Sequence, residues 1–156
     1  MVIVWIYRFL SLWLIKALVC VALLFGAASP SFAQTAITYT NTSDGAISST
    51  LSPCANPLTR IFNVPETYTI ADVNIGVLIG HPRRNQLTLN LRSPAGTNVT
   101  LFRNNGGGRT NINVLFDSAI GTSVSSHTVN DTATAGTVVP PYQRSFNPIQ
   151  SLNAFN

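Results

Sequence analysis

Two short stretches restrict the folds open to this chain. In Gln86–Arg92, Leu87, Leu89 and Leu91 alternate with Gln86, Thr88, Asn90 and Arg92. In Val73–Ile79, Val73, Ile75, Val77 and Ile79 alternate with Asn74 and Gly76, following Asp72. A period of two puts every second side chain on one face, so each stretch reads as a strand with one apolar and one wet side. From Gln34 onward no segment carries helical periodicity, while Gly and Pro interrupt the chain at short intervals, which predicts an all-β domain.

The segment Gly80–Asn85 joins the two strands with the Gly, Pro and Asn that a hairpin connection requires. Weaker strands are predicted at Asn98–Arg103 and at Asn111–Phe116, where Ile112, Val114 and Phe116 face one way, and shorter ones at Ile37–Thr40 and Arg60–Val64. Ser93-Pro94-Ala95-Gly96-Thr97 reads as a tight turn, with Pro fixing one φ and Gly supplying a positive one. Strands at this spacing suggest a sandwich or jelly roll. Residues 117–150, rich in Ser, Thr, Gly, Asn and Pro, read as a long ordered loop.

The first residues read as an export signal. Arg8 and Lys16 form a sparse basic region, Ala17–Phe25 is apolar, and Ser31 and Ala33 satisfy the small-x-small rule for signal peptidase. A signal peptide helix over residues 1–33, cleaved before Gln34, is expected, with residues 34–156 as the mature β domain. The destination is then secreted, periplasmic or at a bacterial cell surface. An uncleaved leader would be the chain's route to a membrane. Both Trp residues leave with the leader, as do two of the nine basic residues, so the mature charge is about +2 against five acids. That balance is too weak and scattered for a nucleic-acid partner. Only Cys54 remains, in a Pro-flanked turn, which excludes a disulfide scaffold and gives no support for a catalytic thiol.

The side chains available for chemistry are few: Asp44, Asp72, Asp117, Asp131, Glu66, His81 and His127. No zinc spacing, Cys-x-x-Cys pair or phosphate-binding Gly-Lys loop is present. Gly121-Thr122-Ser123 matches the start of a subtilisin-type nucleophile motif, but the small residue and Pro that should follow are missing, as is any His or Asp motif to serve it. The expectation is therefore no catalytic residue and no cofactor. Calcium, if bound, would look to the oxygens of Asp72 or Asp117. His81 closes an apolar strand and is read as a structural group with a ring nitrogen bonded to a neighbouring loop. The glycines of Asn104–Asn111 read as a flexible hairpin loop. The other reading of that loop is an anion cradle, with backbone N–H groups beside Arg109.

Between residues 73 and 102 a family resemblance appears. Val73-Asn74-Ile75-Gly76-Val77-Leu78-Ile79-Gly80-His81, then Gln86-Leu87-Thr88-Leu89-Asn90-Leu91-Arg92-Ser93-Pro94-Ala95-Gly96-Thr97, then Val99-Thr100-Leu101-Phe102, resembles the P domain, or Homo B domain, of proprotein convertases and bacterial subtilisin-like serine proteases. The motif positions are His81, Leu87, Ser93, Pro94, Gly96, Thr97 and, in Phe116-Asp117-Ser118-Ala119, Asp117. Pro148–Phe155 resembles the family's Pro-x-x-x-Leu-x-x-Phe. Asn85-Gln86-Leu87 stands where the family has Gly-Asp-Leu. The family also continues into a Gly-x-Trp closing strand, so a C-terminally incomplete domain, the start of a longer reading frame, is expected.

The resemblance implies a jelly-roll-like, galactose-binding-like β-sandwich that packs on and stabilises a serine endopeptidase domain. It implies a partner protease or surface-protein domain, in a longer chain or in trans, and no proteolytic chemistry in these residues. The alternative is a carbohydrate-binding or adhesive module of a surface protein. Sugar platforms need flat rings, and with no mature Trp the candidates are Tyr39, Tyr68 and Tyr142.

Overall fold

The computed structural model describes residues 35–47, 57–67, 69–137 and 141–156. The predicted leader and Cys54 lie outside the described residues. The chain divides into two compact units, Met1–Val64 and Pro65–Asn156.

Among the described residues the second unit holds five strands: β1 (Asn74–Ile79), β2 (Thr88–Arg92), β3 (Asn98–Arg103), β4 (Ile112–Asp117) and β5 (Arg144–Phe146). They form two sheets, β1-β4-β5 and β2-β3. β1 runs antiparallel to β4 from Asn74↔Asp117 to Ile79↔Ile112, and β5 lies parallel to β4 from Val114↔Arg144 to Phe116↔Phe146. The described residues contain no α-helix, only three 3-10 turns, which makes the architecture an all-β sandwich.

The core fills the space between the sheets. Ile112, Val114 and Phe116 from β4 meet Leu87, Val99, Leu101 and Phe102 from the β2-β3 side, with Val124 and Leu152 completing the buried set. Ile75, Val77 and Ile79 from β1 and Leu89 and Leu91 from β2 pack against this cluster but remain partly open. β1 is an edge strand, and in the two-stranded sheet β2 and β3 both are, yet β3 keeps Val99, Leu101 and Phe102 buried, so edge position alone does not set burial. Between Leu89 and Asn90 the β2-β3 register shifts, which lets both Leu101 and Phe102 reach the core.

The turn at Ser93–Thr97 forms as its residues dictate. Ser93 N–H donates to Thr97 O at 2.9 Å, Gly96 N–H donates to Ser93 O at 3.0 Å, and Gly96 sits at φ +95°.

Four expectations require correction. Gly80–Asn85 does not make a hairpin, because β1 pairs with β4 and not with β2, so the segment crosses from one sheet to the other. Asn104–Asn111 is likewise a crossover, from β3 to β4. Turn chemistry reports that the chain bends, not which strands it brings together. Ile37–Thr40 and Arg60–Val64 form no strand. Side chains there take the backbone's bonds: Asn41 Nδ2 donates to Ile61 O at 2.9 Å and Arg60 Nε to Ser43 O at 2.9 Å. Finally, the presumed loop 117–150 carries β5 and a 3-10 turn at Val124–Ser126. Three residues on the flank of β4 are too few for an alternation signal.

Candidate functional site

The two crossovers run side by side. Asn111 N–H donates to His81 O at 2.9 Å, His81 N–H donates to Asn111 Oδ1 at 3.0 Å, and Arg84 N–H donates to Arg109 O at 2.7 Å. Asn111 adopts φ +60° to make this pairing, a conformation that Asn tolerates better than most residues. The pairing turns the Arg84 side chain inward, where it is fully buried.

Around that guanidinium lies a closed polar cluster. Arg84 Nη2 donates to His127 O at 2.7 Å and Nη1 to Val129 O at 3.0 Å, which fastens the chain that follows the 3-10 turn. Nη1 also lies 3.0–3.1 Å from both ring nitrogens of His127. His127 Nε2 is 3.0 Å from Asp131 Oδ1. With Nε2–H directed at that carboxylate, Nδ1 is the acceptor left for Arg84. Phe146 stacks on the imidazole with ring centroids 4.7 Å apart. Arg144 Nε donates to Asp131 Oδ1 at 3.1 Å, and Arg84 Nη1 stands 3.7 Å from Asp131 Oδ2.

Asp131 has a second task. Its Oδ2 accepts the Asn113 backbone N–H at 3.0 Å, while Asn111 Nδ2 donates to Asp131 O at 2.9 Å. The flank of β4 ahead of β5 is thus capped by a side chain in place of a strand. Asn113 completes the arrangement, accepting Gln143 N–H at 2.9 Å and donating to Thr134 O at 2.9 Å.

Burial opposes charge on Asp131. Hydrogen bonds from His127 and the Asn113 amide outweigh it, with the Arg144 hydrogen bond adding to them, and hold the carboxyl below its ordinary range. Burial pushes Arg84 below its usual value, Asp131 counteracts this, and the Arg109 and Arg144 cations add to the depression. Among the described residues, Arg84 Nε is a buried donor with no partner. It lies against Gly106, where a Cβ would fall on the guanidinium, so no larger residue fits there.

Chemically this cluster is a clamp. The buried His127–Asp131 pair is enclosed by Arg84, Phe146 and Arg144, and among the described residues no hydroxyl or thiol bonds to the imidazole. Ser123, the serine of the subtilisin-like tripeptide, caps the 3-10 turn with Oγ accepting Ser125 N–H at 3.2 Å.

The residues singled out from sequence lie elsewhere in the unit. His81 Nδ1 accepts Arg83 N–H at 3.1 Å. Leu87 is in the core; Ser93, Pro94, Gly96 and Thr97 form the β2-β3 turn, with Ser93 Oγ accepting Thr97 N–H at 3.1 Å. Asp117 ends β4 and its Oδ1 accepts Ala119 N–H at 2.7 Å, while Asp72 Oδ2 accepts Asn74 Nδ2–H at 3.1 Å. Among the described residues no three His, Cys, Asp or Glu side chains converge as metal ligands. Tyr142 covers Gly76 so closely that a Cβ there would coincide with its ring. Arg84, Asn113, His127 and Asp131 were not singled out as a group. The spacing of His127 and Asp131 is the one local signal, since Arg84 lies 43 residues from its histidine.

Residues 70–136 match the family described as the proprotein convertase P-domain. No curated protein and no solved structure matches the chain. The matched span takes in β1 to β4, the Ser93–Thr97 turn and Arg84, His127 and Asp131 of the clamp.

Proposed function

We propose that this chain, with a proprotein convertase P-domain match over residues 70–136, is an exported, non-catalytic module that packs on and stabilises a serine endopeptidase or a surface-protein domain. The observation that carries the reading is that match. It supports an association with proteolysis through a catalytic domain outside residues 70–136. The clamp supports the second half of the reading, because His127 and Asp131 are committed to Arg84 and the β4 flank. Asp72 and Asp117 each bond within two residues of themselves, which suits turn formation better than an open cation site.

An accessory module earns its place by binding a folded catalytic domain and not its unfolded chain, which raises that domain's stability by mass action. The test is the thermal midpoint of a subtilisin-type catalytic domain, titrated with the purified protein. A saturable, concentration-dependent rise supports the proposal. No shift, combined with selective retention on an immobilised oligosaccharide, would replace it with the carbohydrate-binding reading.

A further inference from the structure

We propose that the crossover loop Gly106–Arg109, together with Thr128, forms a binding site for a small oxyanion of the phosphate, sulfate or carboxylate type. These five residues line an open cavity of about 470 Å³. Gly106 and Gly107 have φ of +86° and +56°, and a Cβ on Gly107 or Gly108 would meet nothing within 4 Å. Among the described residues the backbone N–H groups of Gly107 and Gly108 have no protein acceptor. Glycine-rich turns with free N–H groups form concavities that hold anions.

Charge is the second, independent observation. Behind the cavity wall, Gly106 rests on the buried guanidinium of Arg84, whose Nε has no acceptor, and Thr128 directly follows buried His127. Arg84 and Arg144 share the single carboxylate of Asp131. Arg109 is exposed and has no ion-pair partner among the described residues. Two cations thus share one carboxylate, a third, Arg109, lines the cavity, and no acidic side chain does. An oxyanion in the loop would accept from the Gly107 and Gly108 amides, the Thr128 hydroxyl and the Arg109 guanidinium, and would offset the excess positive charge of the clamp behind it.

The test follows backbone amide resonances of the isotopically labelled protein during titration with inorganic phosphate, sulfate, acetate and, as the ionic-strength control, sodium chloride. Saturable shifts confined to Gly106–Arg109 and Thr128 are expected with an oxyanion and not with chloride at matched ionic strength. A preference for phosphate and sulfate over acetate identifies a tetrahedral ligand, and the reverse a carboxylate. Arg109→Gln, at an exposed position, should weaken binding about tenfold or more while leaving the remaining resonances in place. Loop amides that stay fixed, that follow chloride equally, or that bind unchanged in Arg109→Gln would overturn the proposal.

Discussion

At the scale of single residues, the buried ions decide the stability of the second unit. Asp131 neutralises Arg84 and Arg144 and caps the β4 flank, so removing its charge leaves a buried guanidinium uncompensated. Asp131→Asn should lower the unfolding free energy by about 3–5 kcal/mol, read from chemical denaturation. The same residue sets the acid limit. Its carboxyl is held below its ordinary value of 3.8, so its stabilisation is complete above that pH. The contribution is then lost as the pH falls through the lower folded value. The wild type should lose stability over that acid interval, and Asp131→Asn should show a flatter dependence there. Equal slopes would mean that the carboxylate is not what titrates. At Gly106, alanine would meet both a positive φ and the Arg84 guanidinium, and should cost about 1–3 kcal/mol by the same measurement.

At the scale of elements, depth of burial ranks the core. Phe102 and Val114 are fully buried on β3 and β4, whereas Leu89 on β2 is only partly covered. Phe102→Ala should therefore cost about 3–5 kcal/mol and Leu89→Ala about 2 kcal/mol. A larger loss for Leu89 would place β2 deeper in the sandwich. Gly76 and Tyr142 form a coupled pair on the outer face of the β1-β4-β5 sheet. Gly76→Ala should destabilise the wild type clearly, and much less once Tyr142→Ala has emptied the space, with a coupling of about 0.5–3 kcal/mol. Four of the strands were legible because alternation is a local property: Val73–Ile79, Gln86–Arg92, Asn98–Arg103 and Asn111–Phe116 each sit within two residues of an observed strand. Their pairing was not legible, since β1 meets β4 across more than thirty residues and the intervening turns look alike whether they reverse or cross. β5 escaped notice because its three residues gain their order from β4. The clamp escaped because Arg84 sits in what reads as a polar turn, and only the crossover pairing with Arg109 turns it inward.

At the scale of the whole molecule, the β-sandwich commits its buried His127–Asp131 pair to holding two crossovers and the end of a long connection together. A catalytic role would need a nucleophile within hydrogen-bond reach of a free imidazole nitrogen. Here Arg84 and Asp131 face the two ring nitrogens, and Ser123 Oγ caps a turn. The most direct test is peptidase turnover by the purified protein on casein and fluorogenic peptides, beside Ser123→Ala. The account predicts no turnover above the buffer control for either protein. Turnover that survives repeated purification of the wild type and disappears in Ser123→Ala would contradict it.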